Sequence, residues 1–162
     1  MTMDTTRPQS ETFHAGASFR IQGLDLDIDG ITRELRHSPT LTHRRGEAAV
    51  IGKSYRLDMW LLRSPLGKNE DLELHLEWLA ERLLPHKQYI SSLRKKFKVD
   101  IYCHKTCYTE QASLTLSPHA LRIFTEIYLE FCVSLIFLPD DPKETSAPAA
   151  SELAGGPPVV TP

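Results

Sequence analysis

An apolar seam runs from Leu72 through Leu76, Leu79, Leu83, position 86, Ile90 and Leu93 to Phe97, stepping alternately by four and three residues. That spacing returns side chains to one face of a helix. Only His86 interrupts its apolar character. The phase is kept across Pro85, where an interior proline removes a backbone hydrogen bond at a cost of roughly 3 kcal/mol. Two independent helices have no reason to share a phase. The pattern therefore predicts one kinked helix, with two helices as the alternative. Acidic Glu70, Asp71 and Glu73 at its start and basic Arg94, Lys95, Lys96 and Lys98 at its end suit the helix dipole. Leu74, Trp78 and Leu84 widen the stripe into a face fit to cover a sheet rather than a coiled-coil seam.

The flanking segments supply the sheet. Ala17, Phe19 and Ile21 alternate with Ser18, Arg20 and Gln22, the pattern of a half-buried strand closed by Gly23. A short helix follows over Asp29 to His37, with Ile31 and Leu35 as its apolar pair; Ser38-Pro39 ends it. Residues 40–54 read as a loop or irregular strand, and Tyr55 to Arg63 as the next strand. Beyond the long helix, Val99, Ile101 and Cys103 alternate with Asp100, Tyr102 and His104, and Ala112, Leu114 and Leu116 with Ser113 and Thr115. Ser117-Pro118 is a helix start, a serine cap before a first-turn proline, and Leu121, Phe124 and Tyr128 form the core face with help from Ile123 and Ile127. Phe131 to Leu138 is almost wholly apolar, as expected of a central strand buried on both faces. The sum is an α+β chain: a ferredoxin-like β-α-β-β-α-β sandwich over residues 55–139, with a β-α extension in front and helices on one face of a mixed or antiparallel sheet.

The chain of 162 residues suits one domain, expected over residues 16–139. Residues 1–15 lack periodicity and are expected to be disordered. Residues 140–162, rich in Pro, Ala, Ser and Gly, are expected to form a disordered tail. A net charge of −2 opposes a broad duplex nucleic-acid footprint. The N-terminal residues lack the apolar core of a secretion signal, and no apolar run reaches the length of a membrane span. Three cysteines then read as reduced thiols of a cytoplasmic protein.

Chemical motifs fail one by one. Asp25, Asp27, Asp29 and Gly30 imitate the opening of a calcium loop, but its twelfth position, which needs a bidentate glutamate, holds Arg36. Asp27 or Asp29 then serves as a helix cap. Cys103, His104 and Cys107 offer three of the four ligands a structural zinc needs. In a strand, however, His104 points away from Cys103. No local signature marks a Cys-His nucleophile and no glycine-rich phosphate loop is present. No catalytic residue, cofactor or metal is therefore expected. Two surfaces remain. His43, Arg44 and Arg45 form a short basic loop of a kind that clamps anions. By strand parity the face away from the helices is expected to carry Ser18, Arg20, Gln22, Asp58, Trp60, Asp100, Tyr102, His104, Ser113 and Thr115. Of these, Arg20, Trp60, Tyr102 and His104 are the candidate interaction surface, since exposed aromatic residues amid charges anchor interfaces. The competing reading has Trp60 covered by the loop of residues 38–54.

Several segments carry a resemblance. They are Ala17 to Gly23 with Leu26 and Asp27, Ile31 to Leu35, Ser38 to Thr40, Arg45 to Glu47, Met59 to Ser64, Asp71-Leu72 with His75 to Leu79, and Leu116 to Pro118 before the terminal strand. In this order they resemble the bacterial family catalogued as "domain of unknown function 4279". The resemblance implies a small α+β domain and brings no catalytic residues with it. The expected function is a non-catalytic protein-interaction module of immunity or regulatory type. Its partner is another protein, and a homodimer is compatible with that. The alternative is a small anionic-ligand binder or enzyme using His43, Arg44 and Arg45. A third is single-stranded RNA stacked on the open sheet face.

Overall fold

A computed structural model describes residues 13–49, 52–107 and 113–138. Strand β1 (Phe13–Gly23) comes first, longer than the alternation of Ala17 to Gln22 indicates. Helix α1 (Ile28–Leu35) follows, capped by the Asp27 carboxylate on the Gly30 amide, with Ile31 and Leu35 buried. Strands β2 (Leu41–His43) and β3 (Asp58–Arg63) flank a loop closed by a bridge between Ala48 and Ser54.

The seam helix is built as α2 (Leu72–Leu83), a 3-10 turn over Leu84–His86 and α3 (Lys87–Leu93). Pro85 lies in the first turn of the 3-10 segment, where its missing N–H costs least. The helical path never opens, so the apolar phase survives, and Leu72, Leu76, Leu79, Leu83, Ile90 and Leu93 are all buried. Leu74 is exposed and does not widen the stripe. Strand β4 (Lys98–Cys107), helix α4 (Pro118–Ile127) and strand β5 (Phe131–Phe137) complete the order. Ser117 caps α4 as expected, its hydroxyl accepting from the Ala120 amide. The core face of α4 consists of Ala120, Ile123, Phe124 and Ile127, while Tyr128 is the exposed left-handed residue that ends the helix.

The sheet has the order β2-β3-β1-β4-β5. β1 is antiparallel to both β3 and β4, so those two run parallel to each other across it, and β5 is parallel to β4. The protein is thus α+β, with a five-strand mixed open sheet, but the ferredoxin-like order is not reproduced. The segment read as an extension in front is the centre of the sheet. The strand expected at Ala112 to Leu116 is also missing: residues 113–117 form no regular element, and Ala112 lies outside the described residues. Leu114 and Leu116 still pack on the core, so the alternation reports an extended segment lying on apolar surface without ladder bonds.

Core side chains come from one face of the sheet. Ala15, Ala17, Phe19 and Ile21 of β1 meet Ile101 and Cys103 of β4 and the apolar faces of all the helices. Strand β5 also departs from the expectation. Its apolar run predicts an interior strand, yet it forms an edge of the sheet.

Candidate functional site

Register decides which predicted surface residues come together. Arg20 lies opposite Asp100 and Ser18 opposite Tyr102. Side chains alternate along each strand, so Arg20, Asp100, Tyr102 and His104 share the face away from the helices. There they form a row. Arg20 donates from Nε and Nη2 to the two Asp100 oxygens at 2.7 and 2.9 Å. Its guanidinium carbon lies 4.7 Å from the centroid of the Tyr102 ring, and that ring stands 6.2 Å from the His104 ring at 27°. Gly16 makes room for the imidazole: a Cβ there would come within 2.5 Å of His104 Cε1. Burial, then the charges of Arg63 and His14, hold the His104 pKa below its ordinary value. The row is polar, and its ion pair closes on itself. The fork of Arg20 is committed to a carboxylate of the same chain and does not stand open as an anion clamp.

Trp60 does not belong to this row. It lies opposite Ile21 on β1, which places it on the helix-covered face. It is fully buried, edge-on to Phe19 with ring centroids 6.2 Å apart, and its indole N–H donates to Thr32 Oγ1 of α1 at 3.0 Å. The cover is helix α1 and the main core, not the loop of residues 38–54. The parity of β3 is the reverse of the expected one: Met59 and Leu61 face outward with Gln22 and Arg20, their neighbours across the ladder. Met59 and Leu61 are themselves covered, so burial alternates nowhere along β3 before Arg63.

The basic loop is also organised from within. The Asp58 carboxylate accepts from the Leu26 amide at 2.8 Å and from the Arg45 amide at 2.7 Å. Arg44 donates to the Leu26 carbonyl and keeps its guanidinium 3.8 Å from Asp58. The His43 ring stacks on Tyr55, centroids 3.6 Å apart. The Arg45 and Leu26 amides, then the nearby arginine charges, hold the Asp58 carboxyl below the usual carboxylate range. Arg44 and the Arg45 amide thus hold an anion that the chain itself supplies, while His43 is engaged with Tyr55. Arg45 contributes its backbone to that contact.

The cysteine cluster divides as strand alternation requires. Cys103 and Cys107 are buried and share one parity of β4, and His104 has the other. Burial, with a smaller contribution from Cys132, pushes the Cys103 thiol up to about 12. A thiol so protonated is a poor nucleophile. Among the described residues no group of three or more His, Cys, Asp or Glu side chains could hold a metal ion. Nor is any helix among them long and apolar enough to cross a membrane.

Two features went unnoticed in the sequence. His75 Nδ1 lies 3.1 Å from Ser64 Oγ, which has the look of a hydrolytic pair. Both residues are buried, and burial holds the His75 pKa below its ordinary value. The contact ties the residue after β3 to α2. No spacing rule links positions 64 and 75, so only the fold reveals it. The other feature is the free edge of β5. Phe131, Leu135, Ile136, Phe137 and Leu138 are 42, 45, 45, 52 and 44% exposed, and Cys132 is exposed beside them. One side of β5 is hydrogen-bonded to β4, and no strand among the described residues covers the other.

Comparison with protein families matches residues 11–138 to the family described as "Domain of unknown function (DUF4279)". No curated protein and no solved structure matches the chain.

Proposed function

The chain belongs to the DUF4279 family, and we propose that it is a non-catalytic protein-interaction module whose working surface is the free edge of β5. The observation that carries this reading is an apolar strand, uncharged from Phe131 to Leu138, left at a sheet edge with large side chains in solvent. Such an edge presents unpaired N–H and C=O groups as a template for another strand, and natural proteins normally blunt it with lysine, proline or a bulge. Within β5 none of the charged or proline residues that do this is present. Strand addition at an open edge draws affinity from main-chain hydrogen bonds and specificity from alternate side chains. The outer-face residues Tyr102 and His104 stand across the ladder from Cys132 and Ser134, so the row around Arg20 continues the same surface.

A protein of this kind acts by occupancy, as regulators and immunity proteins do. The reading of His43, Arg44 and Arg45 as a ligand or enzyme loop draws little support from their contacts, since Arg44 and the Arg45 amide are engaged by Asp58 and His43 is stacked on Tyr55. Single-stranded RNA on the outer face draws little, because the guanidinium there is paired and covers one face of Tyr102.

Affinity capture from the native host tests the module with the wild-type chain and with Leu135→Lys, a substitution at an exposed position. Whatever protein the wild type recovers, own copies included, is expected to fall by at least about tenfold, the change expected when about 1.4 kcal/mol of binding is lost. Equal recovery by the two chains would place the working surface elsewhere.

A further inference from the structure

The occupant of the β5 edge is open to identification from the strand itself. We infer that it is the β5 strand of a second copy, paired antiparallel about a two-fold axis at Ser134. The inference rests on the reading of β5 as the working edge and names its partner.

Four observations point to a second copy. The first is self-complementarity. Antiparallel pairing centred on Ser134 sets Phe131 against Phe137 of the other copy, Cys132 against Ile136 and Val133 against Leu135. Aromatic residues stand at both ends, Cys132 and aliphatic residues lie between, and a small residue occupies the axis. A two-fold interface requires this kind of match, because the same patch serves both partners.

The second is facial consistency. Phe131, Val133 and Leu135 lie opposite Ile101, Cys103 and Lys105 on β4, and Cys132, Ser134 and Ile136 lie opposite Tyr102, His104 and Thr106. The proposed register joins residues of like parity, so the helix side of one sheet continues into the helix side of the other. Phe131 already packs edge-on against Phe124 of α4, with centroids 5.1 Å apart. Phe137 of the second copy would extend that aromatic cluster.

The third is closure. The opposite edge of the sheet is β2, only three residues long and followed directly by Arg44 and Arg45. Short edges flanked by charge resist pairing. One protected edge and one open edge give a closed dimer rather than a growing sheet.

The fourth weighs against the adjoining segment of the same chain as the cover, by composition. The chain after Leu138 begins with Pro139 and includes Pro142 and Pro148, and between these last two lie Lys143, Glu144, Thr145, Ser146 and Ala147. Proline cannot donate to a ladder, and a charged, polar segment is a poor cover for the five exposed aliphatic and aromatic side chains. A net charge of −2 for the whole chain offers little repulsion between copies.

Light scattering during gel filtration of the full chain, together with one engineered cysteine, tests the inference. The mass is expected to be that of a dimer of the 18.4 kDa chain, and Leu135→Lys is expected to convert it to a monomer. In a Cys132→Ser background, Ser134→Cys places two thiols on the axis. Paired residues in an antiparallel ladder have Cα atoms about 4.5–5.5 Å apart, within disulfide reach. Mild oxidation is expected to link most of the chain into a covalent dimer. Thr125→Cys, on the exposed side of α4, is expected to stay unlinked. A wild type that is monomeric at high micromolar concentration overturns the second copy as partner. If Leu135→Lys still abolishes capture from the host, β5 survives as the working edge for a different protein. A dimer indifferent to Leu135→Lys and unlinked at position 134 overturns both.

Discussion

Replacing Trp60 with alanine is expected to destabilise the protein by about 3–5 kcal/mol, the range for truncating a fully buried tryptophan. Three losses combine. The indole is entirely removed from solvent in the wild type, so its deletion leaves a cavity in the main core. Its edge-on contact with Phe19 disappears; such aromatic pairs contribute about 0.5–1.5 kcal/mol beyond area burial. Thr32 loses the donor that ties α1 to β3. Denaturant unfolding measures the sum as a fall in midpoint at constant slope. A variant within about 0.5 kcal/mol of the wild type would instead be the behaviour of a surface residue, and would contradict the placement of Trp60 beneath the helices.

Asp58→Asn is expected to lower the unfolding midpoint as well, and to change its dependence on pH. The carboxylate accepts two backbone N–H groups from separate segments, at Leu26 and Arg45. An amide supplies one acceptor oxygen and turns an NH₂ toward the second donor. The Arg44 guanidinium also loses its counter-charge. The pH effect has a definite sign. The folded carboxyl is held below its ordinary value of 3.8. Its contribution is therefore fully present above the unfolded pKa and is lost as pH falls through the lower folded value. Thermal unfolding from neutral pH down to below pH 4, about where free aspartate titrates, is expected to show the wild type and Asp58→Asn converging toward the acid end. A constant gap between the two curves would show that Asp58 does not titrate with folding.

These two residues mark where sequence pattern stops being informative. The seam from Leu72 to Phe97 was legible because a helix in contact with a core repeats its burial every turn, and Pro85 falls where a 3-10 turn absorbs it. Strand β4 was legible because only one of its faces is deeply buried, so Ile101 and Cys103 separate cleanly from Asp100 and Tyr102. Strand β3 offered no such contrast. From Asp58 to Leu62 every residue is buried, and the one acidic residue among them is inside because Leu26 and Arg45 satisfy it. Parity could be read only from the pairing of Ile21 with Trp60, a contact set by β1 lying between β3 and β4. That central position was hidden too, since periodicity shows which residues share a face and is silent on strand order. Of the candidate surface, Arg20, Tyr102 and His104 were correctly grouped by alternation and Trp60 was not.

Strand β5 is the instructive case. Its composition is that of an interior strand, and its position is that of an edge. Apolar side chains on both faces of a strand are costly in water, and the disagreement is resolved if a further strand completes the sheet. A second copy of β5, as proposed, would supply that strand with residues already in the chain.

Hydrogen–deuterium exchange across residues 131–138 tests this most directly, with the wild-type chain measured over a range of concentrations. Alternate amides of β5 point toward β4 and are protected in any case; the others report on the open edge. The account predicts that these outward amides exchange slowly at high concentration, and faster on dilution or in Leu135→Lys. Fast exchange of the outward amides at every concentration, equal in the wild type and Leu135→Lys, would contradict it.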